Sequence, residues 1–316
     1  MTDTVDVHAH YVPADYRQAL IDHGHERPDG FPILPTWSAE EHLAVMDRLG
    51  IRTAMLSVSS PGVAFGGDPA EWARRVNETG AETVKRHPGR FGLFASLPLP
   101  DGDAARDEVS YAFDTLQADG VVMLTNVEGV YLGDDRLEPL MAELDRRRAV
   151  MFIHPTSPAC FEKTALGHPR PLIEFLLDTT RAVANMVLSG TLTRYPEIRV
   201  IVPHAGAALP VLADRIAGFA GLMPLAGREP GEVDVIGALR RLHYEVGAGF
   251  PFPRHISALL DLVDAGQLLF GTDFPFGGVE GIERNSEALQ STTLLTRSER
   301  NGLLRENALA LFPRLT

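Results

Sequence analysis

The sequence predicts a parallel α/β barrel in a single domain. Short apolar segments alternate along the chain with segments of helical periodicity, an order that is typical of a parallel sheet. The apolar segments begin near residues 5, 53, 91, 120, 150, 200, 242 and 268. Their mean separation is about 38 residues, which fits a (β/α)8, or TIM, barrel that carries loop insertions.

A doubly wound open sheet is the alternative, because it also alternates strands and helices. That fold binds phosphates at a Gly-rich turn directly after its first strand, and no such fingerprint follows strand one here. The chain contains no low-complexity segment and no recognisable linker. We therefore expect residues 1–316 to form one barrel domain.

The first elements have clear boundary signals. Strand one covers Val5–His10, and residues 11–36 are rich in Pro, Gly and His without periodicity, which predicts a loop insertion. Long loops of this kind inside a compact domain are usually functional lids. Ser38 and Glu41 form a capping-box pattern that begins a helix, and Gly50 ends that helix.

The later elements repeat the same pattern. Asp68-Pro69 begins the helix after strand two, and Pro88-Gly89 stops it. Two amphipathic helices close the chain, and Ser298 is the predicted cap of the last one. Strands two to eight are predicted over 53–58, 91–96, 120–124, 150–154, 199–204, 242–246 and 268–273.

Bulk properties exclude several classes of protein. A formal net charge of -13 argues against nucleic acid or an anionic membrane as the partner. The single cysteine, Cys160, excludes an internal disulfide and suits a reducing compartment. No basic N-terminal region precedes an apolar stretch, and no apolar run reaches about 18 residues. We therefore expect a cytoplasmic protein.

Polar side chains end four of the predicted strands. His8 and His10 lie two positions apart in strand one, so their imidazoles point the same way. His154, His204 and Asp273 end strands five, six and eight. In a barrel these strand ends meet at one face, where active sites are built. A divalent metal ion with nitrogen and oxygen ligands would satisfy such buried groups together.

Each of these residues also has an ordinary explanation. The pattern His-x-His occurs in many unrelated proteins, and His154 alone could be a structural hydrogen-bonding residue. Asp273 stands before Phe274-Pro275, where a turn residue is common. Their joint occurrence at the ends of four strands favours a metal site over four separate explanations.

The ordered motifs resemble the amidohydrolase superfamily, and within it the branch of metal-dependent non-oxidative decarboxylases. The resemblance covers essentially the whole chain. It is carried by His8-Ala-His10, His154-Pro155, Asp178-Thr179-Thr180, His204-Ala-Gly206 and Gly271-Thr-Asp273-Phe-Pro275. By this resemblance His8, His10, His154 and Asp273 would hold one divalent ion, zinc or alternatively manganese. His204 would act as the acid/base group.

The resemblance also bears on the number of metal ions. Many binuclear relatives bridge two ions with a modified lysine at the end of strand four. This chain contains only Lys85 and Lys163, and strand four ends in Met123-Leu-Thr-Asn126. A site for one ion is therefore predicted.

Differences between this chain and the individual types of decarboxylase in the branch indicate which metal ion and which substrate to expect. His8 and Ala207 stand where the resorcylate-type enzymes have glutamates, and both resemble the aminocarboxymuconate type, which favours zinc. That type binds a second substrate carboxylate with an arginine, and the matching position here is His42, which puts a dicarboxylate substrate in doubt. Residues 57–62, 91–98 and 124–126 are most similar to the 6-methylsalicylate decarboxylase group.

The resemblance implies a carboxy-lyase that decarboxylates an ortho-hydroxybenzoate such as 6-methylsalicylate, with His204 or Asp273 as the proton source. Asn126 and Phe276 are predicted substrate contacts, and Phe274 and Trp37 further candidates for an apolar wall. Arg215 resembles an arginine that, in the aminocarboxymuconate type, reaches into the site of the neighbouring subunit, and this resemblance implies a homodimer. Alternatively, Arg215 is an ordinary solvent-exposed residue on a helix.

Two other functions remain open. A hydrolase of the same fold, a lactonase or amidase, could activate water at the same metal ion. A non-catalytic binding protein could also use a barrel scaffold.

Overall fold

The computed structural model describes residues 3–225 and 227–315, and it confirms the barrel. Eight parallel strands lie side by side in chain order and form a nearly closed barrel. The strands are β1 (Thr4–His10), β2 (Ile51–Ser57), β3 (Phe91–Ser96), β4 (Gly120–Leu124), β5 (Val150–His154), β6 (Arg199–Val202), β7 (His243–Glu245) and β8 (Leu268–Leu269). A small antiparallel hairpin, Asn126–Val127 with Val130–Tyr131, follows β4.

The segment after β8 closes the barrel against β1. The regular part of β8 is only two residues long, shorter than the predicted 268–273. The chain nevertheless continues alongside β1, where the backbone N–H of Val7 donates to the carbonyl of Phe270 at 2.9 Å. The N–H of Asp273 donates to the carbonyl of His8 at 2.7 Å. These bonds place Asp273 beside the first strand.

Helices surround the barrel. They are α1 (Ala14–Asp22), α2 (Ala39–Leu49), α3 (Pro69–Arg86), α4 (Gly102–Asp114), α5 (Glu138–Arg146), α6 (Phe161–Thr164), α7 (Glu174–Leu188), α8 (Thr191–Arg194), α9 (Leu209–Leu222), α10 (Val235–Arg240), α11 (Arg254–Leu262), α12 (Val279–Ser291), α13 (Arg297–Asn301) and α14 (Asn307–Leu311). None of the helices in the described ranges combines the length and apolar character that a membrane span requires.

Two expectations about helices need correction. Residues 11–36 contain α1 and a 3-10 turn at Pro28–Gly30, although the sequence predicted a loop without structure. Helix α1 has no side-chain cap and buries only Tyr16 and Leu20, so it leaves little periodic signal. The predicted cap Ser298 is also wrong, because Thr296 caps α13 in a reciprocal capping box with Glu299.

The two ends of the barrel differ in chemistry. At the end where the strands begin, the interior is apolar and includes Val7, Phe94 and Phe152, the last two stacked at 5.5 Å between ring centroids. Leu311 and Phe312 from the C-terminal segment pack onto this cluster. The histidines stand at the other end of the strands, so this apolar layer forms the floor beneath them.

Candidate metal centre

Four side chains converge at the carboxyl ends of the strands, and they are the four that the sequence predicted. His8 and His10 of β1, His154 of β5 and Asp273 after β8 offer ligand atoms that all lie within 4.8 Å of one another. Nε2 of His8 and Nε2 of His10 are 3.2 Å apart. Oδ1 of Asp273 lies 3.0 Å from Nε2 of His10.

The protein fixes which nitrogen of each of these histidines points to the centre. For His8 and His154, Nδ1 faces an oxygen that can only accept a hydrogen bond; for His10 it faces the Ser57 carbonyl and the Ser57 hydroxyl, whose proton is donated to the Ala9 carbonyl. In each case Nδ1 therefore carries the proton and Nε2 carries the lone pair. These contacts are His8 with the Glu245 carboxylate (3.0 Å), His10 with the Ser57 carbonyl (3.3 Å) and His154 with the Pro155 carbonyl (2.7 Å).

This arrangement fits a cation. Unprotonated nitrogens and a carboxylate oxygen at 3.0–3.5 Å repel one another unless a positive charge lies among them. Loss of hydration opposes ionisation of Asp273, but positive charge at the neighbouring imidazoles of His8 and His10 outweighs it and holds the pKa of its carboxyl well below the usual range. Three imidazoles and one carboxylate form a donor set that suits one divalent transition-metal ion.

Glu245, at the end of β7, supports the centre, and sequence reasoning missed it. Its buried carboxylate accepts from Nδ1 of His8 at 3.0 Å and from the backbone N–H of His204 at 3.1 Å. The N–H groups of Gly247 and Ala248 donate to the other oxygen. Burial raises the pKa of this carboxyl, but the contact with His8 outweighs it and the net shift is downward. The sequence did contain a signal for Glu245, because a charged residue near the end of a short, mostly apolar strand is unusual.

A second buried carboxylate joins β1 to the segment that carries Asp273. Asp6 accepts from the Thr272 hydroxyl at 2.6 Å, from the Thr272 N–H at 3.1 Å and from the His8 N–H at 3.0 Å. Gly271 permits the close approach, since a Cβ there would lie 2.6 Å from Cβ of His8. These contacts fix the position of His8 on β1 relative to that of Asp273 after β8.

His204 lies beside the four ligands and remains free to act on a proton. Its ring centroid is 5.3 Å from that of His8, and its Nδ1 has no hydrogen-bond partner among the described residues. Burial lowers the pKa of His204 to about 4 despite the nearby carboxylates of Glu245 and Asp273, so before an anionic ligand binds the imidazole is neutral at pH 7. Its φ of 53° and the φ of 57° at Asp273 are strained backbone conformations, which cluster at functional sites.

The other predicted site residues occupy different surroundings. The ring of Phe276 lies 5.7 Å from that of His10, so this aromatic side chain flanks the centre. Phe274 and Trp37 instead contact His42, with ring centroids 4.6 and 6.1 Å away.

Asn126 and Arg215 are not among the side chains that converge. The Asn126 amide donates to the Asp178 carboxylate at 2.9 Å and accepts from the Gly129 N–H at 3.2 Å. Arg215 is exposed on α9, where its guanidinium lies over the ring of Phe219. Their predicted contacts with substrate remain predictions.

His42 is a buried neutral histidine and carries no charge toward the centre. The indole N–H of Trp37 donates to its Nδ1 at 3.1 Å, and an indole can only donate, so that nitrogen is unprotonated. Burial is the main reason that the pKa of His42 falls to about 3. A cation at this position in the folded protein is therefore disfavoured.

This burial predicts an acid-sensitive stability. Between pH 6.5 and about 3 the unfolded chain binds a proton at His42 that the folded protein excludes, so stability falls as the pH falls. From pH 6.5 to about pH 5 the loss is about 2 kcal/mol. Urea unfolding at both pH values should show this loss in the wild type and a smaller loss in His42→Gln. Replacing the exposed His168 by glutamine should leave the pH dependence unchanged; equal losses in all three proteins contradict the prediction.

Comparisons with known proteins agree with this geometry. A family model described as amidohydrolase matches residues 5–314. The 6-methylsalicylic acid decarboxylase of Aspergillus aculeatus is 36% identical over 323 residues, which cover 98% of this chain and 96% of that protein.

Solved structures are similar over nearly their full length. One described as an amidohydrolase II has a TM-score of 0.92 at 35% identity and covers 98% of this chain and 99% of its own. A 2,6-dihydroxybenzoate decarboxylase in complex with 2,6-dihydroxybenzoate has a TM-score of 0.84 at 25% identity, with 99% and 100% covered.

Proposed function

This chain belongs to the amidohydrolase family, and from that premise we propose that it is a metal-dependent, non-oxidative decarboxylase of ortho-hydroxybenzoates. One observation carries the proposal. Three histidines with fixed tautomers and one aspartate converge beside the unpartnered Nδ1 of His204, in a chain 36% identical to a 6-methylsalicylic acid decarboxylase. The enzyme is accordingly a carboxy-lyase that releases CO2.

In the proposed complex the four ligands bind the metal ion, and aromatic side chains contact the ring of the substrate. His8, His10, His154 and Asp273 would hold a divalent ion, which when bound supplies a Lewis acid for the carboxylate and the adjacent phenolic oxygen. Phe276 beside His10 and Phe31 beside Phe276 offer aromatic surface that excludes water from the ring. The substrate is thereby oriented with its carboxyl-bearing carbon near His204.

Decarboxylation requires one proton at the ring carbon. When that carbon takes up a proton, the bond to the carboxylate breaks, and its electron pair returns to the ring and restores aromaticity. His204 is the proposed donor, since an anionic benzoate beside a neutral buried imidazole favours the protonated form. Asp273 is the alternative donor, and because its carboxyl is ionised in the free site it would first have to take up a proton. Solvent then returns the proton to the donor.

A small cavity supports an alkyl substituent on the ring. Val58, Val63, Leu97 and Leu124 line it with other mostly apolar side chains, and its volume is about 20 Å³. Leu124 is the register partner of His154, and Val58 follows Ser57, whose hydroxyl is 2.9 Å from Nδ1 of His10. The cavity is thus lined by sequence or register neighbours of two ligand-contacting positions, and we propose that it accepts one methyl group of the ring. An apolar lining disfavours a hydroxyl in the same place.

The decisive experiment measures CO2 release by the metal-loaded enzyme. We expect turnover of 6-methylsalicylate, with kcat/KM about 10- to 100-fold above that for 2,6-dihydroxybenzoate, which has a hydroxyl in place of the methyl group. Val58→Ile should narrow this ratio by filling the cavity. No CO2 from either acid, together with turnover of lactones or amides, would establish the hydrolase instead.

We propose zinc as the physiological ion, with manganese as the alternative. Histidine at position 8 supports zinc, because a nitrogen-rich donor set suits it better than a carboxylate-rich one. Metal analysis of the enzyme purified from cytoplasmic expression, the compartment we propose, distinguishes the two ions.

We further propose a homodimer that uses α9. Val211, Phe219 and Leu222 are large apolar side chains with exposures of 70%, 41% and 78%, and Arg215 lies among them. Exposed apolar patches of this kind mark interaction surfaces. We expect a dimer in sedimentation velocity and a raised KM in Arg215→Ala. Arg86→Ala, on the exposed face of α3, serves as control; a monomeric active enzyme overturns the assignment.

A further inference from the structure

A buried carboxylate outside the metal centre accepts four hydrogen bonds that the proposed reaction does not use. Asp178 lies on α7 and is fully buried. Its Oδ2 accepts from the Thr125 hydroxyl at 2.5 Å and from the Asn126 amide at 2.9 Å. Its Oδ1 accepts from the Tyr131 hydroxyl at 2.5 Å and from Arg181 at 2.7 Å. A carboxylate so fully paired holds each donor in one orientation.

Thr125 connects Asp178 to the segment of residues 154–156, which carries the metal ligand His154. Because its hydroxyl proton points to Asp178, the hydroxyl oxygen is available as an acceptor, and the N–H of Thr156 donates to it at 3.2 Å. The backbone N–H of Thr125 also donates to the carbonyl of His154 at 2.9 Å. The same residue therefore holds the chain on both sides of Pro155.

The carbonyl of Pro155 orients the ring of the metal ligand His154. Its carbonyl accepts from Nδ1 of His154 at 2.7 Å and so determines which nitrogen faces the other ligands. Unlike His8, which Glu245 orients directly, His154 is oriented by a backbone carbonyl that has to be placed by its neighbours. The hydrogen bonds of Thr125 to residues 154 and 156 place it.

We infer that Asp178 is a positioning residue of the metal centre, which acts through Thr125 on the Pro155 carbonyl and thereby on the ring of His154. This inference rests on the proposed metal centre but not on the proposed reaction. It also gives Asn126 a structural part, since the Asn126 amide binds Asp178 and the Ser157 carbonyl.

The test is metal affinity, measured by competition with a chelator for Zn²⁺. Thr125→Val keeps the shape of the side chain and removes the hydroxyl, and Asp178→Asn keeps its size and replaces an acceptor by a donor. We expect both to raise the Kd for Zn²⁺ about 10- to 100-fold, as is typical for partners behind a ligand. Thr125→Ser, which retains the hydroxyl, should restore wild-type affinity.

Glu108→Gln is the matched control. Glu108 is also a buried helical carboxylate that accepts from an asparagine and an arginine, Asn77 and Arg74, and it contacts no metal ligand. A purely structural role predicts that all three variants, Thr125→Val, Asp178→Asn and Glu108→Gln, lower the urea midpoint alone, with the Kd of the folded protein for Zn²⁺ unchanged. Wild-type Kd in both Thr125→Val and Asp178→Asn would overturn the inference. Because the readout is binding, the result stands whether or not CO2 is released.

Discussion

Replacing His204 by asparagine should lower kcat for decarboxylation of 6-methylsalicylate about 100- to 10,000-fold, the range that general acid catalysis contributes. Asparagine tolerates the positive φ of 53° at this position, so the backbone of the loop should persist. The side chain is not among the four converging ligands, so bound metal should stay at the wild-type level. Steady-state kinetics and metal analysis of the same preparation measure both.

His243→Asn is the control for this substitution. His243 is a half-buried histidine whose Nδ1 also has no partner among the described residues, but it lies at the start of β7, at the opposite end of that strand from Glu245. It should retain kcat close to the wild type. If His204→Asn keeps wild-type kcat, another group delivers the proton, and Asp273 becomes the first candidate.

Replacing Asp273 by asparagine should remove the one negative ligand and raise the Kd for Zn²⁺ by more than about 100-fold, beyond the usual cost of losing a partner behind a ligand. Asparagine again suits the positive φ of 57°. At stoichiometric metal the variant should be inactive, and excess metal should restore part of the activity. Chelator competition and activity against metal concentration measure the two effects.

Asp119→Asn provides the comparison for Asp273. Its side chain is 4% exposed and lies just before β4, at the floor of the barrel, where it pairs with Arg314. It should leave the Kd for Zn²⁺ unchanged. Unchanged metal affinity in Asp273→Asn with a large loss of kcat would instead identify Asp273 as the proton donor rather than an essential ligand.

The two variants therefore separate binding from chemistry. His204→Asn should retain metal and lose turnover, whereas Asp273→Asn should lose metal and regain turnover in excess metal. This contrast follows from the geometry, because Oδ1 of Asp273 lies 3.0 Å from Nε2 of His10 while Nδ1 of His204 has no partner among the described residues.

Local patterns identified the candidate residues of the metal centre, with His204 among them, and the resemblance to the amidohydrolase superfamily separated four ligands from His204. In β1 the alternation of side chains is enough to place His8 and His10 on one face, and the barrel rule brings the ends of β5 and β8 to the same face. Position in an apolar strand also identified His154, since a polar residue that ends such a strand is conspicuous in the sequence. Their common location needs only the period of a strand and the direction of parallel strands, whereas their roles as ligands came from the resemblance.

Contacts between distant residues could not be predicted in the same way. Glu245 orients His8 across 237 positions of sequence, and Asn126 binds Asp178 across 52. A side chain that reaches its partner through space leaves no periodic trace, so the sequence contained no sign of the hydrogen bond from the Asn126 amide to Asp178, and the contact of Asn126 with substrate stays a prediction. Helix α1 was missed for a related reason, because a short uncapped helix depends on packing rather than on local signals.

The sequence by itself thus determined the barrel, its strand order and the identity of three histidines and one aspartate at its mouth. Only the tertiary structure decided how these groups are used. It closed β1 against the segment that follows the two-residue β8 and so brought Asp273 to 3.0 Å from His10. It also supplied Glu245, Ser57 and Pro155 as the acceptors that turn each Nε2 inward. Hydrogen-bond partners fix a tautomer only when folding has placed both groups, and that information lies in three dimensions.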